Sequence, residues 1–159
     1  MTEPASTFLK PTLVDRWINR VFGLLVGWGL GLSHNYLLQV QGRRSGRIYS
    51  TPVNVVELAG KRFLVAPRGE TQWVRNARAS GQVWLKKGRF RQQFQLRAIA
   101  DEDKPVILKT YLDRFKTTVQ RYFQISAGSP LDAFRQIAGH YPVFELVPVS
   151  RMASHESEH

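Results

Sequence analysis

Hydrophobic residues recur at every second position in several stretches between residues 36 and 98, the period of a strand with one buried face. Tyr36, Leu38 and Val40 lead into a polar turn, and Val53, Val55 and Val56 lead out of it along a strand over residues 50–58. Pro52 near the start of that strand must occupy a position whose N–H is not needed. Ala59, Gly60 and Lys61 form a short hairpin turn into a strand over residues 62–66. The clearest hairpin joins residues 83–87, through a turn at Gly88, to residues 90–100. In its second strand Phe90, Gln92, Phe94, Leu96 and Ala98 share one face, and Arg91, Gln93, Gln95 and Arg97 the other. Residues 142–147 read as a closing strand.

Elsewhere the period lengthens to that of a helix. Pro11 and the Thr12 and Asp15 capping pattern start one that presents Leu13, Trp17, Val21, Leu24 and Leu25 on one face, and Gly27, Gly29 and Gly31 end it. Pro67, Arg68, Gly69 and Glu70 break the third strand; Thr71 then caps a short helix through Ala79, closed by Ser80 and Gly81. Asp103 before Pro105 opens a long helix in which Leu108, Tyr111, Leu112, Phe115, Val119 and Tyr122 repeat at helical spacing. Ser129 and Asp132 cap a further short helix to about Gly139. Six antiparallel-looking strands with helices at the start, middle and end predict an α+β domain on a small barrel or strongly curled sheet. A doubly wound sheet is disfavoured because crossover helices do not alternate with the strands. One domain is expected over residues 1–149, with a helix and exit loop at 1–33, followed by a polar tail at 150–159.

Charge narrows the chemistry. Against 12 acidic residues stand 23 Lys and Arg, a formal net charge of +11. Such a surplus attracts nucleic acid, acidic lipid headgroups or a polyanionic cofactor. Most of it lies between Arg43 and Lys116 with no single basic tail, which points to a positive folded surface and away from a disordered nucleic-acid arm. The absence of cysteine excludes disulfides, thiolate metal sites and a cysteine nucleophile, and fits a cytoplasmic protein. Of His34, His140, His155 and His159 two lie in the polar tail, and no metal is expected. No Gly-x-Ser-x-Gly elbow occurs, and the carboxylates are few and scattered. If the chain is an enzyme, a bound cofactor should carry the reaction.

The uncharged run at residues 21–32 is about a dozen residues long, whereas a membrane-spanning helix needs roughly 20. A core-packing helix is the first reading, and peripheral membrane attachment or a substrate-lining role is the alternative. Its Gly-x-Gly-x-Gly is no dinucleotide fingerprint, because a helix precedes it and a strand follows. The turn at residues 42–52 is more pointed. Arg43, Arg44, Ser45, Gly46 and Arg47 crowd a tight bend between two strands. Arginine forks match phosphate and carboxylate oxygens, so the bend is either an anion cradle or a solvated hairpin with gatekeeping charges.

Several of these pieces together resemble the deazaflavin-dependent nitroreductase family, the branch of the split β-barrel flavin/deazaflavin oxidoreductases that uses coenzyme F-420. They are Tyr36 through Gly46, then Thr51, Pro52 and Val53, then Leu64, Val65 and Ala66, then Trp73 through Ala79 with Asn76, and the closing Tyr141 through Leu146. The resemblance covers roughly residues 35–147. It implies a split β-barrel and an oxidoreductase that passes hydride from reduced deazaflavin to a small electron-poor acceptor such as a quinone, enone or nitroaromatic. It further implies that Arg43, Arg44, Ser45 and Gly46 hold the cofactor's phosphate and acidic tail, with Thr51 and Pro52 beside the deazaflavin. Ala66, Pro67, Arg68 and Gly69 would offer backbone N–H groups to it, and Trp73 and Asn76 would flank the ring system. The chain departs from the family pattern in a shorter loop from Arg68 to Trp73, and in Tyr49, which stands where many members carry another arginine.

The resemblance assigns no catalytic side chain. Tyr111, Tyr122 and Tyr141 are candidate proton donors, but their apolar-face or strand-edge positions favour core packing. Two alternatives stay open. One is a barrel that binds FMN, or carries cofactor without efficient turnover; the other is a basic module for membranes or nucleic acid, the latter disfavoured by the lack of a recognised binding motif.

Overall fold

The structure, a computed structural model, describes residues 34–149. The predicted N-terminal helix, its exit loop and the polar tail lie outside the described residues. Six strands run β1 (Asn35–Gln41), β2 (Ile48–Leu58), β3 (Lys61–Val65), β4 (Gln82–Lys87), β5 (Phe90–Ala98) and β6 (Val143–Pro148). They close into an antiparallel barrel in the order β1-β2-β3-β6-β5-β4, with β4 returning to β1. The expected α+β split barrel is therefore the architecture found. Helix α1 (Gln72–Ser80) joins β3 to β4, while α2 (Lys104–Val119) and α3 (Leu131–Ile137) lie between β5 and β6.

Alternation sorts the side chains into two cores. Leu38, Val40, Val55, Leu64, Val83, Leu85, Phe94, Phe144 and Leu146 point into the barrel, joined by Val74 and Ala77 of α1, which crosses one end. Val56, Phe63 and Val65 point outward against Leu108, Tyr111, Leu112, Phe115 and Val119 of α2 and Phe134 and Ile137 of α3. Burying each such side chain stabilises the fold by about 1.5–3 kcal/mol. The helical repeat read for α2 is the buried stripe, up to a kink at Phe115 (φ −113°, ψ 23°). Tyr122 falls beyond it in a 3-10 turn.

Some expectations need correcting. Strand β2 begins at Ile48 and so takes in the pairs Ile48 with Gln41 and Tyr49 with Val40. Strand β5 ends at Ala98. Phe90, assigned to the buried face, is 75% exposed, because it sits at the hairpin end of β5, paired with Lys87 next to the Gly88 turn. Neither expected side-chain cap forms. Thr71 and Pro130 are the N-cap residues of α1 and α3, without a side-chain cap hydrogen bond. The two-residue β2–β3 loop places Ala59 (φ 53°) and Gly60 (φ 76°) in left-handed conformation, the twist that a tight hairpin requires. No helix among the described residues is long and apolar enough to cross a membrane.

Candidate functional site

The turn between β1 and β2 lies at the barrel end that α1 crosses, and Arg43 fastens the two together. Asn76 Oδ1 accepts the Arg43 backbone N–H at 3.1 Å and its Nη1–H at 2.7 Å. Arg43 Nη1 also donates to Gln72 Oε1 at 3.0 Å, one helical turn earlier. Asn76 is buried, 6% exposed. Because both of its partners are donors, the atom facing Arg43 must be the amide oxygen. Its NH2 group therefore faces away from Arg43, and among the described residues it donates to nothing.

The start of α1 adds donors. The helical bonds begin with the Arg75 N–H to Thr71 O at 3.2 Å, so the N–H groups of Gln72, Trp73 and Val74 precede the ladder. No acidic residue occupies this first turn. The Thr71 hydroxyl beside it is buried and, among the described residues, has no hydrogen-bond partner. A buried orphan hydroxyl, a helix N-terminus and a guanidinium in one place suit a ligand rich in anionic oxygens.

The turn itself is tightly held. Gly42 N–H donates to Arg47 O at 2.7 Å and Gly46 N–H to Gly42 O at 3.0 Å, with Gly46 at φ +71°. Arg44 and Arg47 are exposed, and among the described residues their side chains form no hydrogen bond or ion pair. The loop before α1 is partly self-contained: Ala66 N–H donates to Pro142 O at 2.9 Å, Gly69 N–H to Ala66 O at 3.1 Å, and Pro67 has no N–H. The Arg68 guanidinium lies over the Tyr122 ring, 5.4 Å from its centroid. Trp73 is half-buried and meets Phe144 edge-on at 6.4 Å, which also makes it a packing anchor for the barrel.

Of the sequence-derived residues, the structure directly joins Arg43 to Asn76, and places Ser45 and Gly46 in the same turn as Arg43. Thr51 and Pro52 are half-buried along β2, paired with Leu38 and Leu37. No hydrogen bond joins those two side chains to the Arg43 cluster among the described residues. Sequence reasoning missed Gln72, although its i,i+4 spacing to Asn76 is the signal that would have found it. Of the candidate tyrosines, Tyr122 lies under the Arg68 guanidinium, and Tyr111 and Tyr141 are buried in the outer core. Burial pushes the Tyr111 and Tyr141 hydroxyls above the ordinary tyrosine range. Tyr141 OH donates to Tyr122 O at 3.0 Å, and Tyr122 OH accepts from Arg121 at 2.6 Å.

Residues 14–126 match the family described as F420H(2)-dependent quinone reductase. No protein of curated function matches the sequence. Among solved structures, the protein Atu2129 (unknown function) from Agrobacterium tumefaciens str. C58 is similar at 17% identity and a TM-score of 0.55, over 89% of this chain. The chain spans only 60% of that protein's length. A structure described as a domain-swapped dimer is similar at 17% identity and a TM-score of 0.51, over 84% of this chain and 98% of its own. The F420-H2 dependent reductase FDR-A is 19% identical with a TM-score of 0.49, over 72% of this chain and 94% of its own. The two likenesses with TM-scores of 0.55 and 0.51 speak for the fold alone, and the family match reaches from residue 14 across the turn, α1 and the whole of α2. The chain belongs to the F420H(2)-dependent quinone reductase family, oxidoreductases whose hydride carrier is coenzyme F-420.

Proposed function

We propose that this chain reduces a quinone-class acceptor with F-420, and that the turn at residues 42–47 and the start of α1 hold the cofactor's anionic arm. The observation that carries this reading is the Arg43–Asn76 link, which sets a guanidinium-rich bend against a helix N-terminus and aligns their donors. When bound, the reduced deazaflavin supplies hydride to an electron-poor acceptor.

The protein's part is placement and charge. Arg44 and Arg47 offer exposed cations to phosphate and carboxylate oxygens, each charge-assisted bond contributing about 1.5–3 kcal/mol. Arg43 adds its remaining donors from a fixed position. The Thr71 hydroxyl and the Asn76 NH2 would donate to oxygens of the bound cofactor. Trp73 supplies an aromatic wall that keeps water from one side of the ring system. Thr51, Pro52 and the Ala66, Pro67, Arg68 and Gly69 loop would complete the cofactor's surroundings. No tyrosine is assigned as proton donor, and solvent is the proposed source of the product's proton. Quinones are apolar, and the uncharged run at residues 21–32 is the segment that would bring the enzyme to a membrane surface where they reside.

Titration with F-420 and with FMN, followed by tryptophan emission, tests the reading. Micromolar binding of F-420 and none of FMN is the expected result. Replacing Arg43 and Arg44 together by Ala should weaken F-420 binding about tenfold or more. Preference for FMN, or binding indifferent to both arginines, refutes it.

A further inference from the structure

A second fastening holds the same turn, made by Tyr49 from the start of β2. The Tyr49 hydroxyl lies 3.2 Å from Ser45 Oγ, and Ser45 Oγ also accepts the Arg47 N–H at 3.2 Å. Both sides of the serine hydroxyl are thus engaged inside the turn. The tyrosine ring closes on Gly42: a Cβ added there would stand 2.7 Å from Tyr49 Cε2 and 2.7 Å from Ser45 Oγ. Only glycine allows that approach. Gly42 is buried although residues 43–50 are all exposed, and the ring is its cover. Tyr49 itself remains 51% exposed, so it is no core residue. Its contacts are with the turn.

We propose that Tyr49 is a positioning residue for the anion site, acting through Ser45 to hold the bend in the shape that presents Arg44 and Arg47. The inference rests on the F-420 reading of the turn. A five-residue bend without this strut would have to be ordered at each binding event, and order supplied in advance raises affinity. Tyr49 and Ser45 work as one unit in this arrangement. Cutting the strut removes neither arginine from the chain, so the number of charges engaged on binding is unchanged.

The test is a double-mutant cycle on the full chain with F-420 binding read by tryptophan emission. Tyr49→Phe keeps the ring over Gly42 and loses only the hydroxyl; Ser45→Ala removes the other end. Each should weaken binding about threefold to tenfold, the equivalent of one hydrogen bond. The double variant should be no weaker than the worse single one. The slope of log Kd against log salt should match wild type for all three, whereas Arg44→Ala should flatten it. Melting temperatures should stay close to wild type. Additive losses, a flattened slope in Tyr49→Phe, or unaltered affinity in both single variants overturns the strut while leaving the cofactor site standing. Wild-type protein that fails to bind F-420 overturns the cofactor reading, and the strut's role falls with it.

Discussion

Asn76 separates stability from binding more cleanly than any other position. Its amide oxygen receives two hydrogen bonds from Arg43, one from backbone and one from the guanidinium. Asn76→Ala strands both donors. The backbone bond is worth about 1 kcal/mol, and the guanidinium, being exposed, recovers most of its loss in water. The net cost is about 1–2 kcal/mol, which for a domain of this size lowers the melting temperature by about 2–8 °C. Asn76→Asp is different. It keeps the acceptor, and Arg43 offsets the cost of burying the carboxylate, so stability should stay within about 1 kcal/mol of wild type. It also places a negative charge beside the donors proposed to hold the cofactor's anion. At a separation of about 6 Å and an effective dielectric near 20, that repulsion is about 3 kcal/mol, roughly a hundredfold in affinity. Thermal unfolding and F-420 titration of the two variants side by side give the answer. An Asp variant that binds as well as wild type would refute the site, and one that melts below the Ala variant would refute the account of the Arg43 link.

Four other outcomes are expected. Ala59→Asn should raise stability by about 0.5–1 kcal/mol, since asparagine tolerates the left-handed conformation that alanine holds under strain; chemical denaturation checks it. Phe134→Ala should cost about 3–5 kcal/mol because the ring is fully buried between α2 and α3; a midpoint shift under half of that would contradict the packing. Burial, then the charges of Lys87 and Arg114, hold the His34 pKa below 6.5, so the unfolded chain binds the proton first. Stability should therefore fall as pH drops through 6.5, and His34→Gln should flatten that part of the stability–pH curve. Burial pushes the Asp113 carboxyl up, but the Gly128 N–H and the Lys109 and Lys116 charges outweigh it and hold it below 3.8. A separate loss of stability is expected as pH falls through that value, absent in Asp113→Asn.

The barrel was legible because strands with one buried face announce themselves by period two, and short turns force antiparallel neighbours. Ring closure was not, since the β1–β4 seam rests on residues 37–39 meeting residues 84–86, far apart in sequence. Phe90 misled because a hydrophobic residue in register says nothing about where the barrel ends. At the site, the arginines of the turn and the polar face of α1 were visible separately. Their joining was invisible, because a buried Asn76 and a solvated one look alike in a sequence. Thr71 and Ser129 carried capping signals, yet in α1 the hydroxyl is left with no partner among the described residues, and in α3 the N-cap is Pro130.

Strand β6 comes late in the chain yet inserts between β3 and β5. Until residues 143–148 are available, the remaining strands form an open ribbon whose two rims expose unanswered amides and carbonyls. A chain still tethered to a ribosome at that point is a template for foreign strands, and its safety depends on how quickly the final wedge arrives.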